Sequence, residues 1–401
     1  MDLSGFSTYK ILHSLYTAAR EMELPFVFYR FPKSKKIEAI IGSAPVFNYE
    51  IKYNSADSGF VFSPYSNFDN TKSIFIPAAI RYNSSESKFD LNNDTGIRKI
   101  FSLIEKHLNS TVEIEQQQII KKGAKRVLPN IPDYVSLVRE GISEIKRGTF
   151  EKVVLASQKQ IELEPDFDET KTFLKLCEKY INGFISYISI PNVGAWLGAT
   201  PELLVHINHK MMRTVALAGT KTIGSDIVSD DLWTQKEYRE QHLVAEYVED
   251  AIKKSGFKKY KSYGPTTAKA GELAHLLTEF ETQLCEGDEY KISELLKNMH
   301  PTPAICGLPK IPAQEFISNN ERFDREFYAG YLGPVNLNDS MDLFVNLRCM
   351  QIFGVSAMLY AGAGIISNSD PENELTEIQS KFRTMEWVLE TPLESKIVQN
   401  L

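Results

Sequence analysis

Short apolar runs with strand-like alternation follow one another along this chain, and longer helical patterns are set between them. That order constrains the fold more than any single residue does. Strands in direct succession suit antiparallel pairing, and helices inserted between such runs favour an α+β fold over a doubly wound sheet. Strand-like runs begin at Pro25, Gly59 and Lys152. Gly183–Ile190 and Val193–Gly198 form a plausible hairpin, and strands are expected at Leu203–Ile207 and Arg213–Ala218. Further strands are expected around 327–335, 341–353 and 355–361. Helical spacing is read over 9–22, 132–147, 170–181, 233–254, 270–284 (either ending there or continuing past a turn over 291–298) and 372–390. A polar Asn/Ser-rich loop is expected over 83–95. The character changes near Leu128-Pro-Asn-Ile-Pro, which divides the chain into 1–130 and 131–401.

Composition narrows the function. Of 401 residues, 43% are hydrophobic and 24% charged, an ordinary globular balance. A net charge of −7 argues against a nucleic-acid partner. No apolar run is long enough to span a bilayer. The start, Met1-Asp-Leu-Ser-Gly-Phe-Ser, lacks the basic region and apolar core of a secretion signal, which points to the cytoplasm. Cys177, Cys285, Cys306 and Cys349 lie in separate words and suit free thiols in a reducing compartment. His206 and His209 form an HxxH in a strand-like stretch. Their spacing puts them on opposite faces and argues against a metal site.

The segment His300-Pro-Thr-Pro-Ala-Ile-Cys-Gly-Leu-Pro309 is too rich in Pro and Gly for a helix or a central strand. It is a turn-rich connection, either structural or presenting small side chains to a site. Lys152 opens an apolar strand. It is either a strand-end lysine reaching solvent or a desolvated amine usable as a base. Glu202 is ordinarily solvated at a strand mouth, but in an apolar pocket it becomes a general acid. Glu374, Glu377 and Lys381 share one face of the last helix, where an i,i+4 pair is the simplest role. Glu240 and Glu377, from two helices, would suit Mg²⁺, which takes one or two carboxylates plus waters. Gly219-Thr220 and Gly362-Ala-Gly364 would let backbone amides approach an anion. Alternation places Arg348 on the face of Asn346, as a candidate for binding a carboxylate.

Five words occur in a fixed order: Lys152-Val-Val-Leu-Ala, Ala199-Thr-Pro-Glu-Leu-Leu, Ala216-Leu-Ala-Gly-Thr220, the His300–Pro309 segment, and Tyr360-Ala-Gly-Ala-Gly364. Together, over about 133–390, they resemble the chorismate-binding enzyme family. That family comprises isochorismate and salicylate synthases and the large subunits of anthranilate and aminodeoxychorismate synthases. The resemblance implies a large two-lobed sandwich of mainly antiparallel sheets flanked by helices. Residues 1–130 would be its variable part and 131–401 its catalytic region. Within the family, Lys152 stands where isochorismate and salicylate synthases activate water, whereas Ala218 replaces the lysine nucleophile of aminodeoxychorismate synthases. Ala304 stands where aminating enzymes and salicylate synthases tend to have threonine.

The resemblance therefore implies a Mg²⁺-dependent isochorismate synthase acting on chorismate. Salicylate synthase is the nearest alternative, and an anthranilate synthase-like component or a non-catalytic homologue is more remote. Lys152 would be the base and Glu202 the acid. Glu240, Glu377 and Glu374 would serve the metal. Gly219, Thr220, His275, Ala304, Ile305, Arg348, Gly362, Gly364 and Lys381 would meet substrate, and His300 would line the cleft. Water chemistry implies no glutaminase subunit, and a monomer or homodimer is expected. The chain departs from the family pattern at Ser157-Gln158, where Arg is common, and at Thr200-Pro-Glu, where Ser-Pro-Glu is common.

Overall fold

The computed structural model describes residues 3, 5–67, 72–86, 88–91, 97–110, 133–222, 233–270 and 273–390. The first part of the chain contains α1 (Thr8–Glu21), β1 (Phe26–Arg30), β2 (Ile37–Gly42), β3 (Val46–Tyr49), β4 (Gly59–Ser63), β5 (Ser73–Asn83), β6 (Lys88–Leu91) and α2 (Ile97–Asn109). Next come α3 (Tyr134–Arg147), β7 (Lys152–Glu162), α4 (Glu169–Lys179), β8 (Phe184–Ile190), β9 (Gly194–Thr200), β10 (Leu203–Asn208) and β11 (Met211–Thr222). They are followed by α5 (Gln235–Lys254), β12 (Lys261–Ala270), β13 (Leu273–Gln283), α6 (Glu289–Met299), β14 (Gly307–Leu308) and α7 (Lys310–Asn320). The last elements are β15 (Tyr331–Leu337), β16 (Ser340–Val345), β17 (Cys349–Phe353), β18 (Ser356–Ile365) and α8 (Pro371–Glu390).

Among the described residues every strand pairing is antiparallel, in two sheets. One runs β6–β5–β2–β1–β8–β9–β17–β18–β7–β14. The other runs β12–β13–β11–β10–β16–β15–β4–β5, with β3 also on β5. The long β5 belongs to both, joining β4 through its first half and β2 through its second. The early strands are built into the same sheets as the late ones: β1 pairs with β8, and β4 with β15.

The core fills the space between the sheets. Phe184 of β8 stacks on Phe344 of β16 at 4.2 Å, and Tyr29 of β1 meets Phe60 of β4 at 5.7 Å. Trp196 of β9 is packed by Phe62 and Tyr360. Aromatic pairs at these distances add specific geometry to area burial. Helices cover the outer faces: α5 on β11 and β13, α8 on β18, and α4 on β8. No helix among the described residues is long and apolar enough to cross a membrane.

Three expectations change. The stretch 270–284 is the strand β13, not a helix. Its burial alternates through Ala274, Leu276, Thr278, Phe280 and Thr282. The Leu276-Leu277 pair imitates helical spacing, but ladders to both β11 and β12 decide the matter. Second, the polar loop at 83–95 contains β6, hydrogen-bonded to the end of β5. Third, the stretch 341–353 is two strands, because Arg348 adopts a left-handed backbone with φ 47°. That conformation removes Arg348 from any alternation with Asn346, whose side-chain amide is committed to the Phe327 carbonyl oxygen.

The proline-rich segment bends and then docks. The amides of Ile305 and Cys306 close turns on the Thr302 carbonyl. Gly307 and Leu308 then pair with Val153 and Lys152. Gly307 has φ 152°, and a Cβ there would lie 2.2 Å from the Lys152 carbonyl oxygen. Only glycine allows that approach. Gly307→Ala is expected to destabilise the protein by about 2–3 kcal/mol, readable in denaturant unfolding. An unchanged midpoint would show that β14 is not held there.

Candidate active site

Sheet pairing assembles the site at one end of the two sheets. Strand β7 lies between β18 and β14, with Ala156 opposite Gly362 and Val154 opposite Gly364. A Cβ at Gly364 would lie 3.1 Å from Cε of Lys152, so the bare glycine gives the lysine chain its path. Lys152 crosses from its own sheet to the helix covering the other and donates from Nζ to Oε1 of Glu240 at 3.0 Å. Its side chain is only 15% exposed.

Glu202 follows β9. Thr200 fixes the corner, donating from its hydroxyl to the Val345 carbonyl oxygen at 2.5 Å, while the Val345 amide donates to the Glu202 carbonyl oxygen at 2.9 Å. The Glu202 side chain retains some exposure to the cleft, yet its carboxyl is deeply surrounded by protein. Burial pushes that carboxyl up to about 7, against an opposing pull from Lys152 and Lys381. Apolar neighbours account for the burial: Leu203, Leu204, Leu217, Val244 and Met299 line the same narrow cavity, and Ala304 closes it.

Lys381 lies on α8, where Nζ donates to Oε1 of Glu377 at 2.7 Å and to the Gly362 carbonyl oxygen at 2.6 Å. Gly362 thus offers a carbonyl to a cation rather than an amide to an anion. Burial lowers the affinity of Lys381 for its proton. Arg348 is also held below its ordinary value, by burial, with Glu377 pulling the other way. Its hydrogen bond to Thr384 is a long one, 3.5 Å from Nη1 to Oγ1. Among the described residues no carboxylate forms an ion pair with it, which leaves a desolvated guanidinium within electrostatic reach of Glu377 and Lys381 and suited to an anion.

Gly219 has φ 68° and lies at a bulge in the β11–β13 register. Its carbonyl oxygen accepts from Nδ1 of His275 at 3.1 Å. Burial lowers the pKa of His275. The Thr220 backbone lies opposite His275. Ile305 is 2% exposed, and its carbonyl is taken by Arg325, so it lies behind the cavity wall that Ala304 faces. His300 lies in the core rather than along the cleft, with Nε2 donating to the Tyr65 carbonyl oxygen at 3.0 Å. Burial brings it down to about 4.

The carboxylates are divided. Glu240 serves Lys152 and Glu377 serves Lys381. Among the described residues no three His, Cys, Asp or Glu side chains form a cluster able to hold a metal. Glu374 is raised by burial, and the charge of Glu377 adds to the shift. That like-charge pair is an environment a divalent cation relieves, so Glu374 and Glu377 fit such an ion as donors.

One supporting element has no counterpart in the motifs. Arg325 binds Glu321, with Nε to Oε2 at 2.8 Å, and both side chains are 2% exposed. The same guanidinium donates to the carbonyls of Ile305 and Val154, each at 2.8 Å, while Glu321 accepts from the Ala156 amide at 2.8 Å. The pair therefore ties the proline-rich segment to β7. Its only sequence signal was a Glu and an Arg four residues apart.

A family model described as "Chorismate binding enzyme" matches residues 64–390, beginning well before the motifs do. The isochorismate synthase DhbC of Bacillus subtilis is 30% identical over 286 residues, covering 68% of this chain and 71% of that protein. The isochorismate synthase MenF of Escherichia coli is 30% identical over 272 residues, covering 65% of this chain and 61% of that protein. Its solved structure overlays with a TM-score of 0.73 at 21% identity, covering 96% of this chain and 92% of that one. Anthranilate synthase component I of Streptococcus pneumoniae overlays with a TM-score of 0.62 at 19% identity, covering 84% and 83%. At those identities the overlays speak for the fold. The fold, the ordered motifs and a match over residues 64–390 lead to one conclusion: the chain belongs to the chorismate-binding enzyme family.

Proposed function

We propose that this protein is an isochorismate synthase that uses Mg²⁺ to convert chorismate to isochorismate. The observation that carries the proposal is the Glu202 carboxyl, brought to about 7 by burial and lying within electrostatic reach of Lys152. A carboxyl in that range still holds a proton at neutral pH and can give it up, as a general acid must. Lys152 takes a proton from the water that attacks C2 of the ring. Glu202 gives its proton to the C4 hydroxyl, which leaves as water while the ring double bonds shift. One water enters and one leaves, and a return proton transfer restores both side chains. Because Nζ of Lys152 donates to Glu240 in this arrangement, acting as a base requires that contact to loosen.

Arg348 and Lys381 are the cations suited to substrate carboxylate. Glu377, with Glu240 and Glu374, would hold Mg²⁺, which when bound supplies positive charge for the ring carboxylate. Ala304 presents no hydroxyl to the cavity, which fits an enzyme that stops at isochorismate. The remote relatives named isochorismate synthase support the same reading.

The test is purified protein with chorismate and Mg²⁺, followed by chromatography of the products. Isochorismate without pyruvate is expected. Salicylate and pyruvate accumulating together would replace the proposal with a salicylate synthase. Lys152→Ala is expected to lower turnover at least ~10²-fold while chorismate binding persists. Normal turnover by that variant would remove the base assignment.

A further inference from the structure

The proposed chemistry leaves one cation at the mouth of the site unused. An open cleft of roughly 260 Å³ is lined by Glu151, Lys152, Arg239, Glu240 and Asn368, among others. Val244 lines both this cleft and the narrow cavity of Glu202 and Ala304, so the two adjoin. Four of the lining residues are charged. Lys152 and Glu240 neutralise each other at 3.0 Å. That leaves Arg239 against Glu151, both exposed, with no ion pair between them.

Arg239 stands on the first turns of α5, beside Glu240, and makes no ion pair with the described residues. Two acidic groups of that helix are matched: Glu237 faces Lys221 at 3.6 Å, and Glu249 holds Lys253 at 2.8 Å. Without Arg239 the named lining charges would sum to a net negative mouth. The protein as a whole carries −7. A substrate with two carboxylates would meet repulsion at the entrance before reaching Arg348 and Lys381.

From this geometry we infer that Arg239 is a steering residue, drawing the dicarboxylate substrate into the cleft without taking part in proton transfer; this rests on the function proposed above. An arginine suits the task because its planar guanidinium matches carboxylate geometry, and this one is exposed at the cleft. Salt screens the field at a cleft mouth, with a screening length of about 8 Å at physiological ionic strength.

The experiment compares kcat/KM for chorismate in wild type, Arg239→Ala, Arg239→Glu and Arg239→Lys across ionic strength. At low salt, Arg239→Ala is expected to lose up to about tenfold in kcat/KM, and Arg239→Glu more. Arg239→Lys is expected to stay near wild type. The effect falls on kcat/KM rather than kcat, and the four proteins converge at high salt. Unchanged kcat/KM at low salt, or a loss that persists at high salt, overturns the assignment. If the wild type makes no isochorismate, the proposed function fails first. Calorimetric binding of chorismate at low and high salt then tests steering alone, with the same convergence expected and salt-independent binding overturning it.

Discussion

Glu202→Gln is expected to lower turnover by about 10²–10⁴-fold while making the folded protein more stable at neutral and alkaline pH. Both effects have one cause. The folded protein holds the Glu202 carboxyl at about 7, against an ordinary 4.5. Between those values the native state keeps a proton that the unfolded chain has released. The stability associated with that proton is fully present below about 4.5 and is lost as pH rises through about 7. The difference corresponds to on the order of 3 kcal/mol. Glutamine has no proton to lose, so the variant lacks this slope and exceeds wild type most clearly above pH 7. Denaturant unfolding from pH 4 to 8 measures it, and parallel curves for the two proteins would show that the carboxyl is not held in an apolar setting. Catalysis gives a matching sign. A general acid works only while protonated, so wild-type turnover should fall as pH rises through about 7. Loss of fit for substrate alone would raise KM and leave kcat standing.

Arg325→Met is expected to destabilise the protein by about 3–5 kcal/mol, because it strands Glu321 as an uncompensated buried charge. The carbonyls of Ile305 and Val154 would lose their donor at the same time. Glu321→Leu combined with Arg325→Met should be less destabilising than the sum of the single changes, since no buried charge is then left alone. Denaturant unfolding of the singles and the double gives the coupling. A loss under about 1 kcal/mol for Arg325→Met would show that the ion pair does not anchor the proline-rich segment. The expectation follows from where the pair lies: it bridges the segment carrying Ala304 and the strand carrying Lys152. Turnover should therefore fall in whatever fraction of Arg325→Met remains folded.

How much of this was legible in the sequence depends on whether local pattern or distant pairing decided the outcome. The hairpin of β8 and β9 and the helix α8 were legible, because their periodicity and their turns are local. Glu377 and Lys381 were legible as neighbours for the same reason. The strand β13 was not, because its two leucines imitate a helix and one of its two ladders comes from β11, tens of residues away along the chain, beside the one from the preceding β12. The position of Arg348 was misread because alternation assumes an extended backbone, and φ 47° breaks it. The candidate site was legible as a set of residues but not as an arrangement. Nothing in Lys152-Val-Val-Leu-Ala announces that its amine meets Glu240. Likewise, His300 belongs to a motif but is spent on the Tyr65 carbonyl in the core.

On the proposed function, water attacks the ring under the control of Lys152 and Glu202, and the reaction stops there. Chorismate turned over with Mg²⁺ in ¹⁸O-enriched water, with products separated and weighed by mass spectrometry, tests it most directly. Isochorismate carrying one solvent oxygen, without pyruvate, is the predicted result. Isochorismate free of label, or salicylate and pyruvate in its place, would contradict it.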